Sequence, residues 1–315
     1  MATPAFAGIG DSTDPDYPPA KKPEPSDAIS SSVRYRESAP GASAKPMAPV
    51  SGNWSPPACW YEPQFTPKQF GDYLAKHDYG GGSAGTSERG EYLDETGGKL
   101  HKGDHGSWYM LKRSSAADIG EAMDRCGALH TYTWVGPADP APPGTPVITP
   151  EILAGLAYGR TKLPTPPVTL KPAPDRLKVN LPTRVSFEGR LDQVSVTASI
   201  SNPGLGINIA ATTVATPRQL HLVAGTDYAD PQSCTYDLVK KGGTYAVESG
   251  DSGCLITYRK SSGTGTYTLH ASITWDVTWN PTADPGGKPV RNDLPDGETT
   301  NDIPVTVKEI QAINR

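Results

Sequence analysis

No uninterrupted apolar run in this chain approaches the roughly 20 residues that a membrane helix needs, which excludes insertion through such a helix. Basic charge is not in excess either. With 29 Lys and Arg against 34 Asp and Glu, the net charge of -5 gives no electrostatic reason to expect nucleic acid or an anionic membrane as partner. The four cysteines form no C-x-x-C pair, which removes zinc knuckles and thioredoxin-type redox motifs. Long helices are disfavoured as well: 33 glycines and 33 prolines among 315 residues interrupt any mainly helical design, and they lack the period of collagen. What is present is enough apolar material, 36% of residues, to build a core, in a length that corresponds to two domains at roughly 100 to 200 residues each.

The N-terminal Ala5-Phe6-Ala7 reads like the A-x-A end of a secretory signal, cleaved before Gly8. In an exported chain, Cys59, Cys126, Cys234 and Cys254 read as structural disulfides. Two fall on each side of a Pro-rich stretch, which favours Cys59 with Cys126 and Cys234 with Cys254 among the three connectivities. Buried free thiols are the alternative.

Residues 1–51 are rich in Pro, Ser and Ala, with no apolar periodicity, and are expected to be a disordered arm. A second stretch, 161–175, carries Pro164, Pro166, Pro167, Pro172 and Pro174, and is expected to be an extended linker between two domains. The first domain, 52–160, reads as a small α+β unit. Thr66-Pro67 and Thr149-Pro150 are capping residues followed by Pro at the first helical position, and they predict helices over 67–76 and from 150 onward. A further helix is predicted over 115–125, and Thr131 to Val135 alternates like a strand. The second domain, 176–315, is a β pattern. Tyr267, Leu269, Ala271, Ile273, Trp275, Val277 and Trp279 alternate strictly with polar residues. The same period recurs at Val194 to Ile200, at Ile207 to Ala211 and at Ile303 to Val307, before slipping in phase to Ile310 and Ala312 as a bulge would make it do. Such runs, separated by Gly-rich turns, predict an all-β immunoglobulin-like sandwich.

A resemblance reinforces this fold. Val179-Asn180-Leu181-Pro182-Thr183, the approach from Tyr258 to Tyr267, Trp275-Asp276-Val277-Thr278-Trp279 and the ending Val307 to Asn314 resemble a group of actinobacterial secreted or cell-surface proteins of unassigned function with a C-terminal PKD-like module. The likeness covers about residue 149 to the end, with an echo at Cys59-Trp60-Tyr61-Glu62-Pro63, and departs from the family at Arg184-Val185-Ser186 and Gly225-Thr226-Asp227. It implies export and an Ig-like fold, without an activity.

Motifs for catalysis are thin. Gly250-Asp251-Ser252-Gly253 copies the nucleophile motif of chymotrypsin-like proteases, but its nearest upstream histidines, His221 and His130, come without the expected context, and the tetrapeptide also suits a hairpin turn between Tyr245-Ala246-Val247 and Leu255-Ile256-Thr257. Gly10-Asp11-Ser12 has no apolar strand before it to present the serine. Glu91, Asp94 and Glu95 lack the apolar surroundings that would split their ionisation. His101, Asp104 and His105 would put three ligands on one loop, yet the loop is glycine-rich and no fourth ligand is suggested, so neither a metal nor another cofactor is expected. Aromatic residues are the stronger hint. Trp54, Trp60 and Tyr61, and separately Trp108, Tyr109 and Trp134, form clusters suited either to a binding surface or to a core. The expectation is a secreted, non-catalytic envelope protein that binds an envelope protein or cell-wall carbohydrate. An extracellular hydrolase acting on wall polymer or peptide, and a soluble subunit of a secretion or conjugation apparatus, are the alternatives.

Overall fold

The computed structural model describes residues 33–38, 44–50, 54–76, 98–114, 119–137, 146–187, 191–248, 254–290 and 294–309. The chain is mostly β. Its organising element is one large antiparallel sheet in the order β1-β11-β12-β17-β18-β3, in which β1 is Arg34–Glu37, β3 Ala48–Pro49, β11 Val194–Asn202, β12 Ile207–Val223, β17 Tyr267–Asn280 and β18 Gly297–Val305. A strand of this length alternates its side chains between two faces, and the inner face of β17 is the apolar series Leu269, Ala271, Ile273, Trp275, Val277 and Trp279, all buried.

The 17-residue β12 serves this sheet along its whole length because it bends. Pro217 lies opposite Trp275 and Gln219 opposite Thr274, so Arg218 is an extra residue in the ladder. The bulge exchanges the faces: Ala211 and Ala215 point inward before it, Leu220 and Leu222 after it. Arg218 is held on the outer side by Asp276, 3.0 Å away.

Two different covers close the inner face. At one end lies a four-stranded sheet, β13-β16-β10-β8, in which β8 is Val168–Lys171, β10 Pro182–Phe187, β13 Ala229–Asp230 and β16 Cys254–Tyr258. Leu170, Val185, Ile256 and Tyr258 from this sheet pack with Leu220, Leu222, Leu269 and Ile273, the core of a β-sandwich. At the other end lies a helix, α3 (Pro150–Arg160), whose Leu153, Ala154 and Ala157 cover Val196, Ala198, Ile200, Ala211 and Trp279. Its start follows from the capping chemistry: the Ile152 N–H donates to Thr149 Oγ1, and Pro150 occupies a position whose N–H would have no partner. The Thr213 hydroxyl donates to the Ala154 carbonyl at 3.0 Å, which fixes the helix to β12.

Ahead of α3 stands a three-stranded antiparallel sheet of β4 (Cys59–Phe65), β5 (Ser107–Arg113) and β6 (Tyr132–Val135), with helices α1 (Pro67–Lys76) and α2 (Ile119–Cys126). Phe70, Leu74, Trp108 and Tyr132 form its core. No described helix is long and apolar enough to cross a membrane.

All four cysteines are paired as expected, Cys59 with Cys126 and Cys234 with Cys254. The second pair has a structural role that sequence did not reveal. Cys234 belongs to β14 (Ser233–Lys241), which extends the large sheet from β12, whereas Cys254 begins β16 of the facing sheet, so the bridge staples the sandwich. The hairpin expected around residues 250–253 is therefore not formed by its flanking strands: β15 (Thr244–Val247) pairs with β14 and β16 pairs with β10 and β13. Gly250-Asp251-Ser252-Gly253 itself lies outside the described residues, as do Gly10-Asp11-Ser12, Glu91, Asp94, Glu95, Ile310 and Ala312.

Two further expectations are corrected. The stretch 161–175 is no spacer. Within it β7 (Lys162–Pro164) pairs with β2 (Ala44–Pro46), β8 pairs with β10, and Leu163 and Leu170 are buried. Only Pro164 lies within a strand, at the end of β7, and Pro166, Pro167, Pro172 and Pro174 fall between strands, where no ladder bond is lost. Nor are the described parts of 1–51 a loose arm: β1 adds to the β11 edge and β3 to the β18 edge, so this segment reaches both margins of the large sheet. Residues 1–32 lie outside the described residues. The large sheet does not end cleanly either. After Val305 the chain leaves β18, and β19 (Val307–Lys308) pairs in parallel with β9 (Leu177–Lys178).

Candidate functional site

The three-stranded sheet, α3 and the edge strand β1 meet around the middle of β4. Side chains two apart on a strand share a face, so Trp60 and Glu62 line up on one side of β4; Gln64, the extra residue of a bulge between Pro63 and Phe65, also turns its side chain to Glu62, and all three are buried. Trp60 joins the apolar cluster under α3. Glu62, only 2% exposed, sits next to it as a carboxylate in an otherwise apolar layer. Its two oxygens are engaged: Trp60 Nε1–H donates to Oε1 at 2.8 Å and Gln64 Nε2 donates to Oε2 at 3.4 Å. Burial raises the Glu62 pKa above the usual carboxylate value, opposed by the Trp60 hydrogen bond, by the charge of Lys112 and by the Val33 backbone N–H.

A cleft of about 300 Å³ opens beside this carboxylate. Val33, Pro56 and Leu156 give it apolar walls, and Tyr35 and Trp60 border it. Three cations reach it as well: Lys112 and Arg113 from the end of β5, and Arg160 from the last turn of α3. The Arg160 guanidinium lies 4.1 Å from the centre of the Tyr35 ring, a cation–π arrangement that joins α3 to β1. Burial raises the Tyr35 pKa, against the charge and hydrogen bond of Arg160. The cleft is thus a small amphipathic cavity with one deeply buried acid and a rim of positive charge.

Lys112 is the cation whose charge acts on Glu62, and its ammonium also approaches Met110 Sδ at 3.7 Å. Neither Arg113 nor Arg160 forms an ion pair with a carboxylate of the described residues. The α3 carbonyls near the cleft are largely spoken for: the Thr161 hydroxyl donates to Ala157 O at 2.9 Å and the Thr161 N–H donates to Tyr158 O at 3.0 Å. Among the described residues, the two guanidinium groups in the rim therefore meet no anion. An Arg fork is a matched, two-point partner for a planar or tetrahedral oxyanion.

The aromatic residues weighed as either a binding surface or a core are mainly structural. Trp60, Tyr61 and Trp108 are buried, Trp60 under α3 and Trp108 against Phe70 at 4.6 Å. Tyr61 Oη–H donates to the His130 carbonyl. Trp54 packs on Tyr158 with ring centres 4.2 Å apart. Trp134 is covered by the ring of His101, stacked in parallel at 4.4 Å, and Tyr109 is half-buried. Each large ring would leave a hydrophobic face in water if the sheet were thinner, and in a chain this rich in loops they supply the core. Only the edge of Trp60 reaches the cleft.

The three residues considered for a metal do not converge. His101 adopts a left-handed backbone conformation, φ 55, its Nδ1 is 3.0 Å from Asp104 Oδ2, and its ring completes the stack with Trp134 and Trp108. His105 is exposed beside an open groove of about 670 Å³ between this loop and the start of α1. Among the described residues no three His, Cys, Asp or Glu side chains are grouped to hold an ion. His101 is thus used as a ring that closes an aromatic core.

Tyr35, Glu62, Lys112, Arg113 and Arg160 were not singled out from sequence. One signal was readable: Trp60-Tyr61-Glu62-Pro63-Gln64 sets two polar residues at a two-residue spacing within a strand anchored by aromatics. The convergence of Arg113 with Arg160, 47 positions later, left no local trace. Comparison of the chain with protein-family models, curated proteins and solved structures finds no match.

Proposed function

We propose that this chain is an extracellular, non-catalytic binding protein of the cell envelope, in which a small α+β unit is mounted on an Ig-like sandwich of the PKD-like kind. The observation that carries the compartment is the complete pairing of its cysteines. Disulfides persist in oxidising compartments and are rare in the cytosol, and here one braces β4 to α2 while the other staples two sheets. The sandwich supports the Ig-like assignment through its antiparallel sheets and shared apolar core. Binding is supported by the cleft, whose volume is at the lower end of that of small-ligand sites and whose few polar groups converge on apolar walls.

The test is cell fractionation with thiol labelling, followed by covalent cross-linking on intact producing cells. The chain is expected in the envelope or medium with all four thiols protected, joined to an envelope protein or to wall carbohydrate. Recovery from the cytosol with four reactive thiols would overturn the reading.

A further inference from the structure

We propose that the cleft bordered by Tyr35, Trp60 and Glu62 binds a small ligand through an oxyanion head group, a carboxylate or a phosphate, held by Arg113 and Arg160. The inference rests on the binding role given above and names its chemistry.

Three observations lead to it. The first is charge. Lys112, Arg113 and Arg160 reach the cleft against the single carboxylate of Glu62, whose one charge can offset only one of them, and Lys112 is the cation whose charge acts on it. Two guanidinium groups remain, and neither meets a carboxylate among the described residues. The second is geometry. Arg160 is braced over the Tyr35 ring, so less side-chain freedom is lost when it engages a ligand than for a cation waving in solvent. Arg113 arrives from a different element, the end of β5, where the three-stranded sheet meets α3. Two forks from separate elements converging on one cavity discriminate in favour of an anion that accepts at two or more oxygens. The third is the wall. Val33, Pro56 and Leu156 offer apolar surface next to the cationic rim, so the ligand has a compact apolar body attached to its charged head. The volume of about 300 Å³ limits that body to a small molecule or to the terminal group of a larger one.

Glu62 has a defined part in this arrangement. It orients the Trp60 indole through the 2.8 Å hydrogen bond, and its charge is offset by that of Lys112, which leaves the two arginines for the ligand. It is a positioning residue, and it does not touch the ligand.

The experiment is isothermal titration of the full-length, oxidised chain with two probes, inorganic phosphate and N-acetylglycine, at low and at moderate salt. Four chains are compared: the wild type, Arg113→Gln, Arg160→Gln and Lys68→Gln. Lys68 pairs with Asp72 on exposed α1 and serves as the charge control. Because Arg160 also packs on Tyr35, Arg113→Gln is the decisive variant, and far-ultraviolet dichroism establishes that each chain is folded. Saturable binding of either probe, weakened at least tenfold by Arg113→Gln and by Arg160→Gln and unchanged by Lys68→Gln, supports the site; tenfold corresponds to the loss of one charge-assisted contact. Preference for phosphate or for N-acetylglycine identifies the source of the oxyanion. Binding of neither probe up to about 10 mM, or binding that survives both arginine variants, overturns the site. Cross-linking of the Arg113→Gln chain on cells separates the two claims: capture of an envelope partner when neither probe binds would leave the binding role standing and remove only the cleft.

Discussion

The indole of Trp275 makes the covering of the large sheet testable through a single hydroxyl. Trp275 is completely buried on the inner face of β17, next to the bulge of β12. Its Nε1–H donates to Thr299 Oγ1 at 3.1 Å, and that hydroxyl donates to the Pro164 carbonyl at 3.0 Å. Thr299 thereby joins β17, β18 and β7, and β7 is part of the stretch whose composition suggested a spacer. Thr299→Val keeps the shape and removes both bonds, leaving a donor and an acceptor without partners in a dry site. Each such group costs about 1 to 3 kcal/mol, so the substitution is expected to cost about 2 to 6 kcal/mol. Trp275→Phe removes the donor and leaves the hydroxyl on Pro164. In that background Thr299→Val deprives only the carbonyl, and its cost falls by about 1 to 3 kcal/mol, which is the coupling energy of the pair. Urea unfolding of the wild type, both single variants and the double variant, with midpoints compared at a common slope, measures it. A coupling below about 0.5 kcal/mol, the additivity error for independent sites, would refute the bond between Trp275 and Thr299, and a cost of Thr299→Val below about 1 kcal/mol in the Trp275→Phe background would refute the bond from Thr299 to Pro164 that ties β7 to the sandwich.

Three other outcomes follow from the structure. Replacing Cys234 and Cys254 together by Ala opens a bridge of sequence separation 20 and should cost roughly 3 kcal/mol, read from the shift of the denaturant midpoint; a loss under about 1 kcal/mol would mean that the facing sheets need no staple. Tyr158 and Tyr258 are pushed by burial to about 12 from 10.0, so the folded chain holds those protons more tightly than the unfolded one: the stability they contribute is complete below pH 10 and is lost as pH rises toward 12, and a phenolate absorbance titration in which every tyrosine ionises near 10 would contradict this. Glu62→Gln keeps an acceptor for Trp60 and removes a desolvated charge; since the carboxyl pKa is raised, its stabilisation is present below the unfolded value of 4.5 and lost as pH climbs through the folded value, so the variant should match or exceed wild-type thermal stability at neutral pH, with an advantage that shrinks in acid. A less stable variant at neutral pH would reverse the assignment of burial as the dominant cause.

Much of the β architecture was legible because one signal, the two-residue period, is local. The strictly alternating β17 could hardly be anything else, and the Thr-Pro starts of α1 and α3 are written in consecutive residues. Composition misled where it stood in for periodicity. Residues 161–175 were judged by their prolines, although Leu163 and Leu170 are core residues, and the arm was judged by its Pro and Ser content, although Val33-Arg34-Tyr35-Arg36 alternates. Which sheet a strand joins was not legible at all. The segment between β15 and β16 looks locally like any hairpin, and only long-range pairing sends its two flanks to different sheets. The cleft failed to register for the same reason: its residues come from β1, β4, β5 and α3, far apart in the chain.

The junction that holds the cleft also departs from what its fold requires. Under the four-stranded sheet the inner face is apolar nearly throughout, from Leu220 to Val305. Under the other cover, β4 places Glu62 and Gln64 beside Trp60, and the Asn202 side chain at the end of β11 reaches the Gln64 carbonyl at 3.5 Å while its own Oδ1 meets no partner among the described residues. A buried carboxylate raised in pKa and a buried amide oxygen without a donor each cost stability, and an apolar replacement would pack the same layer. Rule-breaking residues spread at random would signify a loosely optimised core. Here Gln64 joins Glu62 to Asn202, and of the three only Glu62 lines the cleft, where Arg113 and Arg160 meet no carboxylate among the described residues. A costly buried carboxylate kept at the wall of the cleft, where an apolar side chain would pack, agrees with the ligand site proposed there, whereas the hydroxyls of Tyr158 and Thr183, which meet no partner among the described residues, lie in other parts of the core and carry no such reading.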